Sequence, residues 1–384
     1  MKTFLGKVCS KIGSGATPTG GKNAYSTSGT ALIRSQNVLD FCFSESGLVF
    51  INEVQAKKLD SVAVKNGDVL LNITGDSVAR CCLVPSFILP ARVNQHVSIL
   101  RADENVLNNI YMMYFLQWKK DFLLLMASSG ATRNAITKKM IENIEIDLPK
   151  LEAQNKIASI LHSLDKKIQY NTQINRNLEQ QAQAIFKSWF VDFEPFQDGK
   201  FVDSECGPVP DGWRVGILKE MLDIRYGKDH KKLSEGKIPV YGSGGLMRLV
   251  DKALYSGESV LIPRKGTLNN VMRVSGDFWT VDTMFYSVPK HKGAAKFAFH
   301  ILHNMDLASM NSGSAVPSMT TDILNSIDIV VPPQNVLDSF DETTKALWEL
   351  HESNLHESSR LATLRDTLLP KLMSGEIDVS EVAV

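Results

Sequence analysis

Arginine, lysine, asparagine and glutamine side chains in polar loops, joined by a few tyrosines and histidines, have the plainest chemistry to offer in this chain, and it is recognition, not bond-making. In the first half they are Lys22, Tyr25, Arg34, Gln36, Asn37, Arg80, Asn94, Gln95, His96, Arg133 and Asn134. In the second they are Lys228, His230, Lys231, Tyr241, Arg264, Lys265, Asn269, Asn270 and Lys290. In the major groove of DNA, Arg suits guanine edges and Asn or Gln suits adenine edges, while Lys more often meets phosphate. Taken singly, each also reads as an ordinary solvated loop residue.

Motifs that would carry catalysis are missing. No GxxxxGK[ST] loop is present to cradle a nucleotide, so ATP hydrolysis is not expected. Neither is the Asn/Asp-Pro-Pro-aromatic tetrapeptide of amino-methyltransferases, nor a strand-borne GxG for a methyl donor. Gly13-Ser14-Gly15 and Gly242-Ser243-Gly244-Gly245 are followed by turns and charge instead of a helix, which makes them loops. Asp198-Gly-Lys200 and Glu235-Gly-Lys237 match half of a nuclease metal site, a tripeptide common in any sequence. His300 and His303 lie one helical turn apart without a neighbouring carboxylate or Cys to complete a metal set. Five cysteines, odd in number and without a CxxC pair, read as reduced thiols of a cytosolic protein; Cys81-Cys82 reads as strand packing. The expectation is a non-catalytic chain holding neither metal nor cofactor.

With 42 basic and 42 acidic side chains the formal charge is zero, which at first argues against nucleic acid. The distribution argues the other way: residues 1–148 carry 16 Lys/Arg against 12 Asp/Glu, residues 211–310 carry 15 against 10, and residues 333–384 carry 4 against 10. Mildly basic bodies suit phosphate, and an acidic stretch suits protein contact. No apolar stretch reaches the ~18 residues of a membrane span. The first ten residues hold charge in place of an apolar core, so a signal peptide is not expected.

Short apolar runs separated by turn residues must hold these loops. Ala31-Leu32-Ile33 and residues 61–64, 69–73, 97–100 and 141–148 read as strands, and residues 109–126 as one helix. After a linker at 195–210, residues 215–218, 257–262, 279–288 and 296–310 repeat the same order.

Between the bodies, residues 151–189 contain no Gly or Pro and form a heptad seam: Ile157, Leu161, Leu164, Ile168, Asn171, Asn175, Leu178, Ile185 and Trp189. Asn on such a seam costs stability but fixes register. As a helix this run is roughly 55–60 Å long at ~1.5 Å per residue. A helix with one apolar stripe needs another to cover it. Sliding the chain by 183 residues supplies it, setting Ser129-Gly130 on Ser312-Gly313, Thr137 on Thr320, Ile144 and Ile146 on Ile327 and Ile329, and Pro149 on Pro332. The same register carries the seam onto Phe340, Leu347, Asn354, Leu361, Leu368 and Leu372. An internal duplication is expected. The fold class is α+β: two β-rich domains related by duplication, separated by two long antiparallel helices forming a coiled coil. The boundaries are 1–148, first domain; 149–191, first helical spacer; 192–331, linker and second domain; 332–373, second spacer; 374–384, C-terminal tail.

At this point the residues resemble a known family, the specificity (S) subunit of type I restriction-modification systems. The likeness runs through Ser14-Gly15-Ala16-Thr17-Pro18, Ile33-Arg34-Ser35, Gly67-Asp68-Val69-Leu70 and Asn94-Gln95-His96. It is strongest from Ile144 to Pro149 into Gln154-Asn-Lys-Ile-Ala158, Leu161-Xaa-Xaa-Leu-Asp165, Ile185-Phe-Lys-Ser-Trp-Phe-Val-Asp-Phe193 and the stretch from Leu364 to Glu376. In the second body Tyr226-Gly227-Lys228-Asp229-His230 replaces the SGxTP-like loop. The resemblance implies two target-recognition domains reading a split site in double-stranded DNA, the helices setting the gap. It implies no catalysis by this chain, which would recruit two methyltransferase (M) subunits and two ATP-dependent restriction (R) subunits in a bacterial or archaeal cytoplasm. S-adenosylmethionine, ATP and Mg would then be held by partner subunits, and the complex would methylate adenine at N6. Two other readings stand beside it: a self-sufficient DNA methyltransferase or nuclease with an unrecognised site, and a coiled-coil scaffold with no DNA role.

Overall fold

Threonine and proline, more than the apolar residues, mark how this chain repeats. Thr137 and Thr320 each cap a short helix, Lys138–Glu142 and Thr321–Asn325, through a hydroxyl that accepts the N–H of Met140 or Ile323 at 3.3 Å. A short strand then pairs with the start of the same body: Thr3 faces Ile146, and Gly216 faces Ile329. Leu5 N–H donates to the Ile144 carbonyl at 3.0 Å, and Leu218 N–H to that of Ile327 at 2.9 Å. Pro149 and Pro332 close these strands, and the long helices Leu151–Phe190 and Gln334–Ser374 follow.

The computed structural model describes residues 2–20, 24–128, 134–310 and 318–382. Lys22, Ser129, Gly130, Arg133, Ser312 and Gly313, all used in the sequence argument, lie outside the described residues. The chain forms two compact units: residues 1–172 with 355–384, and residues 173–354. Each unit thus gathers one β-rich body and part of both long helices, so the units cross the sequential blocks read from chain order.

In unit 1 an antiparallel sheet runs Cys9–Ser14, Val97–Ala102, Val69–Asn72, Cys81–Leu83. A second sheet runs Val49–Ile51, Thr30–Ile33, Ala91–Val93, its last pair parallel. Unit 2 repeats the plan. Leu222–Tyr226, Met284–Pro289, Ser259–Pro263 and Met272–Val274 form the antiparallel sheet. Gly245–Val250, Ile238–Gly242 and Asp277–Thr280 form the other, again with one parallel pair, and Tyr255–Ser256 is added at its edge.

Local structure departs from the sequence reading in three places. Asp60–Val62 is a 3-10 turn in place of a strand: it follows the Asn52-capped helix Glu53–Lys58 directly, and Val62 and Val64 are buried without a ladder. The helix expected over 109–126 breaks at Lys119 into Asn109–Trp118 and Lys120–Ser128. Ile141 belongs to the Thr137-capped helix, so the strand there shortens to Glu145–Asp147.

Within unit 1 the long helices run antiparallel, with Asp165 Oδ1 accepting from Arg365 Nη1 at 2.7 Å and Asn171 Nδ2 donating to Glu357 Oε2 at 2.7 Å. Unit 2 shows the same sense: Asn175 Nδ2 donates to the His351 carbonyl at 3.1 Å and Asn354 Nδ2 to Asn175 Oδ1 at 2.9 Å. Of the expected seam, Ile157, Leu161, Asn171, Asn175, Leu178, Phe340, Asn354 and Leu372 are buried. Leu164, Ile168, Ile185, Trp189, Leu347, Leu361 and Leu368 are half-buried, while Asp165, Phe186, Phe190, Trp348, Arg365 and Leu369 take fully covered positions beside them. Among the described residues no helix is long and apolar enough to cross a membrane.

Candidate nucleic-acid interface

One end of each antiparallel sheet collects the polar loops. In unit 1 the end is set by Ser14 facing Ser98 and Asn72 facing Val97. Gly15 follows at once, its N–H donating to the Asn94 carbonyl at 3.1 Å; a Cβ there would lie 1.7 Å from the Val93 carbonyl oxygen, so only glycine lets these strands approach. Ile73 N–H donates to the His96 carbonyl, Gly75 N–H to that of Asn134, and Thr74 bridges Ala135. The loops at 14–19, 73–80, 94–96 and 134–136 therefore converge.

A chain of side-chain hydrogen bonds crosses that end. Thr17 Oγ1 donates to Gln95 Oε1 at 2.6 Å, Gln95 Nε2 lies 2.9 Å from His96 Nε2, and His96 Nδ1 lies 2.5 Å from Thr74 Oγ1. A primary amide nitrogen only donates, so His96 Nε2 accepts, and the ring proton on Nδ1 goes to Thr74. Gln95 is exposed. Held this way its amide keeps one N–H and one oxygen lone pair outward, the pair that an adenine edge matches. Arg80 ends the turn at the same place, its carbonyl accepting from Asn72 N–H at 2.8 Å.

A neighbouring group comprises Tyr25, Arg34 and Gln36. The Arg34 guanidinium lies 5.7 Å from the Tyr25 ring centroid and donates to the Gly47 carbonyl at 2.5 Å, which Gln36 Nε2 also approaches at 3.3 Å. Asn37 and Asn94 turn inward. Buried Asn37 accepts from Arg34 N–H and donates to the Ser44 carbonyl at 2.9 Å, and Asn94 Oδ1 caps His96 N–H at 3.0 Å. They build the loops and do not face out of them. Thr17 and Thr74, not singled out by sequence, hold Gln95 and His96 in place; Thr17 lies in the Ser-Gly-Ala-Thr-Pro stretch, which was the available signal.

Unit 2 builds the corresponding end from different residues. A Cβ on Gly227 would meet the Val281 carbonyl oxygen at 2.1 Å, the same tight approach as Gly15. Lys228 N–H donates to the Thr280 carbonyl at 2.9 Å, Trp279 Nε1 to that of Lys228 at 2.8 Å, and Arg264 N–H to that of Thr283 at 2.9 Å. Lys265 bridges Ser318, 183 positions after Ala135 in the equivalent bridge. Arg264 lies 5.4 Å from the Tyr226 ring centroid. A depression of about 410 Å³ opens here, lined by His230, Gly242, Ser243, Gly244, Met247, Val281, Asp282 and Thr283. Lys228, Lys231 and Lys265 are exposed, Tyr241 is half-buried beside the hairpin turn, and Asn270 Nδ2 donates to the Ser243 carbonyl at 2.8 Å. Asn269 is spent on its own loop, donating to Asp306 Oδ1 at 3.0 Å and accepting from Ala308 N–H at 2.9 Å. Lys290 lies away from the group. It follows the far end of Met284–Pro289, roughly 20 Å from Thr283 at ~3.3 Å per strand residue, and its ammonium donates to the Lys219 carbonyl.

Burial pushes the Cys9 thiol up to about 12 and raises those of Cys42, Cys81 and Cys82 above the usual thiol range, which keeps these four protonated.

Known proteins match this arrangement. Residues 6–180 and 210–349 match the family described as type I restriction modification DNA specificity domain. The type I restriction enzyme HindI specificity subunit of Haemophilus influenzae is 24% identical, over 92% of this chain and 95% of that protein. The MjaIX specificity subunit of Methanocaldococcus jannaschii is 26% identical over 76% of this chain and 74% of that one. A crystal structure of the S subunit of a type I restriction-modification system from M. genitalium shares the fold, with a TM-score of 0.57 at 17% identity, covering 97% of this chain and 95% of that one.

Proposed function

The chain belongs to the type I restriction modification DNA specificity family, and from that premise we propose that its two β-rich bodies each read one half of a split target in double-stranded DNA. It is a sequence-recognition subunit. Supporting this is the Thr17–Gln95–His96–Thr74 chain, which spends one face of an exposed amide on the protein and leaves the other directed outward. Gln95 reads an adenine edge, with His96 and Arg80 beside it. Arg34 and Gln36 serve the same half, and Arg264, Lys265 and Lys228 serve the other through guanine edges and phosphate, with Asn270 suited to an adenine edge.

The chain performs no chemistry itself. Two methyltransferase subunits and two restriction subunits dock on it in the cytoplasm of a bacterium or archaeon, bringing S-adenosylmethionine, ATP and Mg. Co-expression with the methyltransferase, followed by methylome sequencing, yields N6-methyladenine at a split motif on both strands. Gln95→Ala relaxes one adenine position in one half by about 1–3 kcal/mol, roughly 5–150-fold. Methylation confined to an unsplit motif would sink this reading. So would methyl transfer or cleavage by the purified chain alone with Mg and methyl donor.

A further inference from the structure

Unit 2 carries an apolar strip where an edge strand is usually charged. Strand Gly245–Val250 pairs with Ile238–Gly242 and lies at the edge of its sheet. On it Leu246, Met247 and Leu249 are 62%, 56% and 46% exposed. The single cation of that stretch, Arg248, is turned away, its Nη2 donating to the carbonyls of Leu233 at 2.6 Å and His230 at 3.2 Å. Three exposed apolar side chains within four positions of an edge strand, on a polar body, mark a contact surface.

Its neighbours indicate what it contacts. Met247 lines the same depression as His230, Ser243, Asp282 and Thr283, so the strand adjoins the polar loops assigned to reading. A Cβ on Gly242 would lie 2.5 Å from Met247 Sδ; glycine there lets the thioether lie across the hairpin turn. The loop that Arg248 pins holds exposed Lys228, Lys231 and Lys232, complementary to a polyanion. On the base edges of the major groove the one apolar group is the C5-methyl of thymine.

We propose that Leu246, Met247 and Leu249 form a thymine-reading strip, recognising C5-methyl groups in the half-site bound by unit 2. This rests on the DNA-recognition reading above. Methionine suits the task because its unbranched, polarisable chain adapts to the position of a methyl group. In unit 1 the equivalent edge strand, Val49–Ile51, is reached from Thr30–Ile33 through residues 34–48 and has Val49 and Phe50 half-buried and Ile51 buried, so methyl reading is confined to one half.

The test uses the full chain in complex with its methyltransferase. Once the motif is known, thymines in the half that tolerates Gln95→Ala are replaced singly by deoxyuridine. Wild-type complex is expected to lose binding about fourfold for each methyl group it buries, and complexes carrying Met247→Gln or Leu249→Ser are expected to lose nothing further on the same duplexes. The inference is overturned by a half-site without thymine, by equal binding of thymine and deoxyuridine duplexes, or by variants that keep the consensus but lose the methyltransferase or change oligomeric state. Failure of the wild-type complex to bind any split motif would instead overturn the recognition reading.

Discussion

The two units fill repeat-equivalent positions with opposite chemistry. In unit 1 Tyr114 Oη donates to Asp165 Oδ2, Arg365 Nη1 donates to Asp165 Oδ1 at 2.7 Å, and the guanidinium lies 3.7 Å from the Phe41 ring centroid. Asp165 and Arg365 are 4% and 9% exposed. Moving 183 positions along the repeat turns Tyr114 into Phe297 and Asp165 into Trp348, while Arg365 answers to Ala182. There Phe190 packs edge-on against Phe297 and Phe340, each with centroids 4.9 Å apart, and Trp348 covers Phe299 at 5.7 Å. Unit 2 keeps a charge lock, but it comes from the sheet: Arg273 donates to Glu352 at 2.8 Å and lies 4.3 Å from the Trp348 ring centroid. One backbone slot therefore accepts either a satisfied polar group or aromatic packing, and the two differ in what a single substitution leaves behind. Removing one member of a buried ion pair strands its partner, whereas trimming a ring leaves only a cavity.

The largest effect follows from that asymmetry. Asp165→Ala leaves the Arg365 guanidinium and the Tyr114 hydroxyl without their shared acceptor and is expected to destabilise unit 1 by about 3–5 kcal/mol. Changing all three members together, Tyr114→Phe, Asp165→Leu and Arg365→Met, should recover most of that loss, because apolar side chains of similar volume leave nothing unpaired. Chemical denaturation of the full chain measures both. A triple variant no more stable than Asp165→Ala would mean that the polar set does more than fill its slot.

Next in size is an acid response from one buried histidine of unit 2. His300 is 1% exposed, lies 2.8 Å from Gln183 Oε1 through Nδ1, and stacks on Phe186 with centroids 5.1 Å apart. Burial, then the charges of His303 and Arg273, lowers its pKa to about 3. Below the unfolded value near 6.5 the unfolded chain binds the proton and the folded chain does not, so this contribution is complete above pH 6.5 and lost on acidification toward pH 3. At ~1.4 kcal/mol per pH unit, falling from pH 6.5 to 4.5 should cost about 2–3 kcal/mol beyond the background of other groups. The repeat places Gln117 of unit 1 at this position, buried and donating to the Cys81 carbonyl at 2.6 Å. His300→Gln imports that residue, and the difference between its pH–stability curve and wild type isolates the histidine; parallel curves would refute the assignment.

These contrasts bear on what could be read from residue types alone. Thr137 and Thr320 announce themselves because a helix N-cap favours a short side-chain acceptor such as a hydroxyl, and Ile146 and Ile329 because a half-buried strand favours β-branched residues facing inward. The helical stripe was legible in position but not in phase. An α-helix drifts ~20° per heptad against a 3.5-residue seam, so coverage passes from Ile185 and Trp189 to Phe186 and Phe190, which are 4% and 7% exposed. Asp165 was invisible as a core residue, since a carboxylate belongs there only once Tyr114 and Arg365 are known to face it. Among the loops, Gln95 and His96 are gathered at one end of the sheet while Asn37 and Asn94 are consumed by backbone. An amide that can read a base can equally cap a turn, and sequence does not separate the two. Met247 escaped notice for a related reason: an apolar residue on a strand reads as core until its strand proves to be an edge.

The smallest expected effect concerns the polar interruption that both units share. In unit 1 Asn171 reaches Glu357, whose carboxylate is held below its usual range by that hydrogen bond first and by Lys167 second. In unit 2 the interruption is internal: Asn175 and Asn354 are 6% and 7% exposed and bond to each other. Asn175→Leu removes the acceptor for Asn354 and should cost about 1–3 kcal/mol. Replacing both by Leu removes donor and acceptor together and should bring the chain within ~1 kcal/mol of wild type, since a matched pair of apolar groups leaves no desolvated amide behind. Urea titrations of the two single variants and the double close a thermodynamic cycle. Additive costs would mean that the two asparagines act independently, and the polar interruption of unit 2 would then be no more than two tolerated residues.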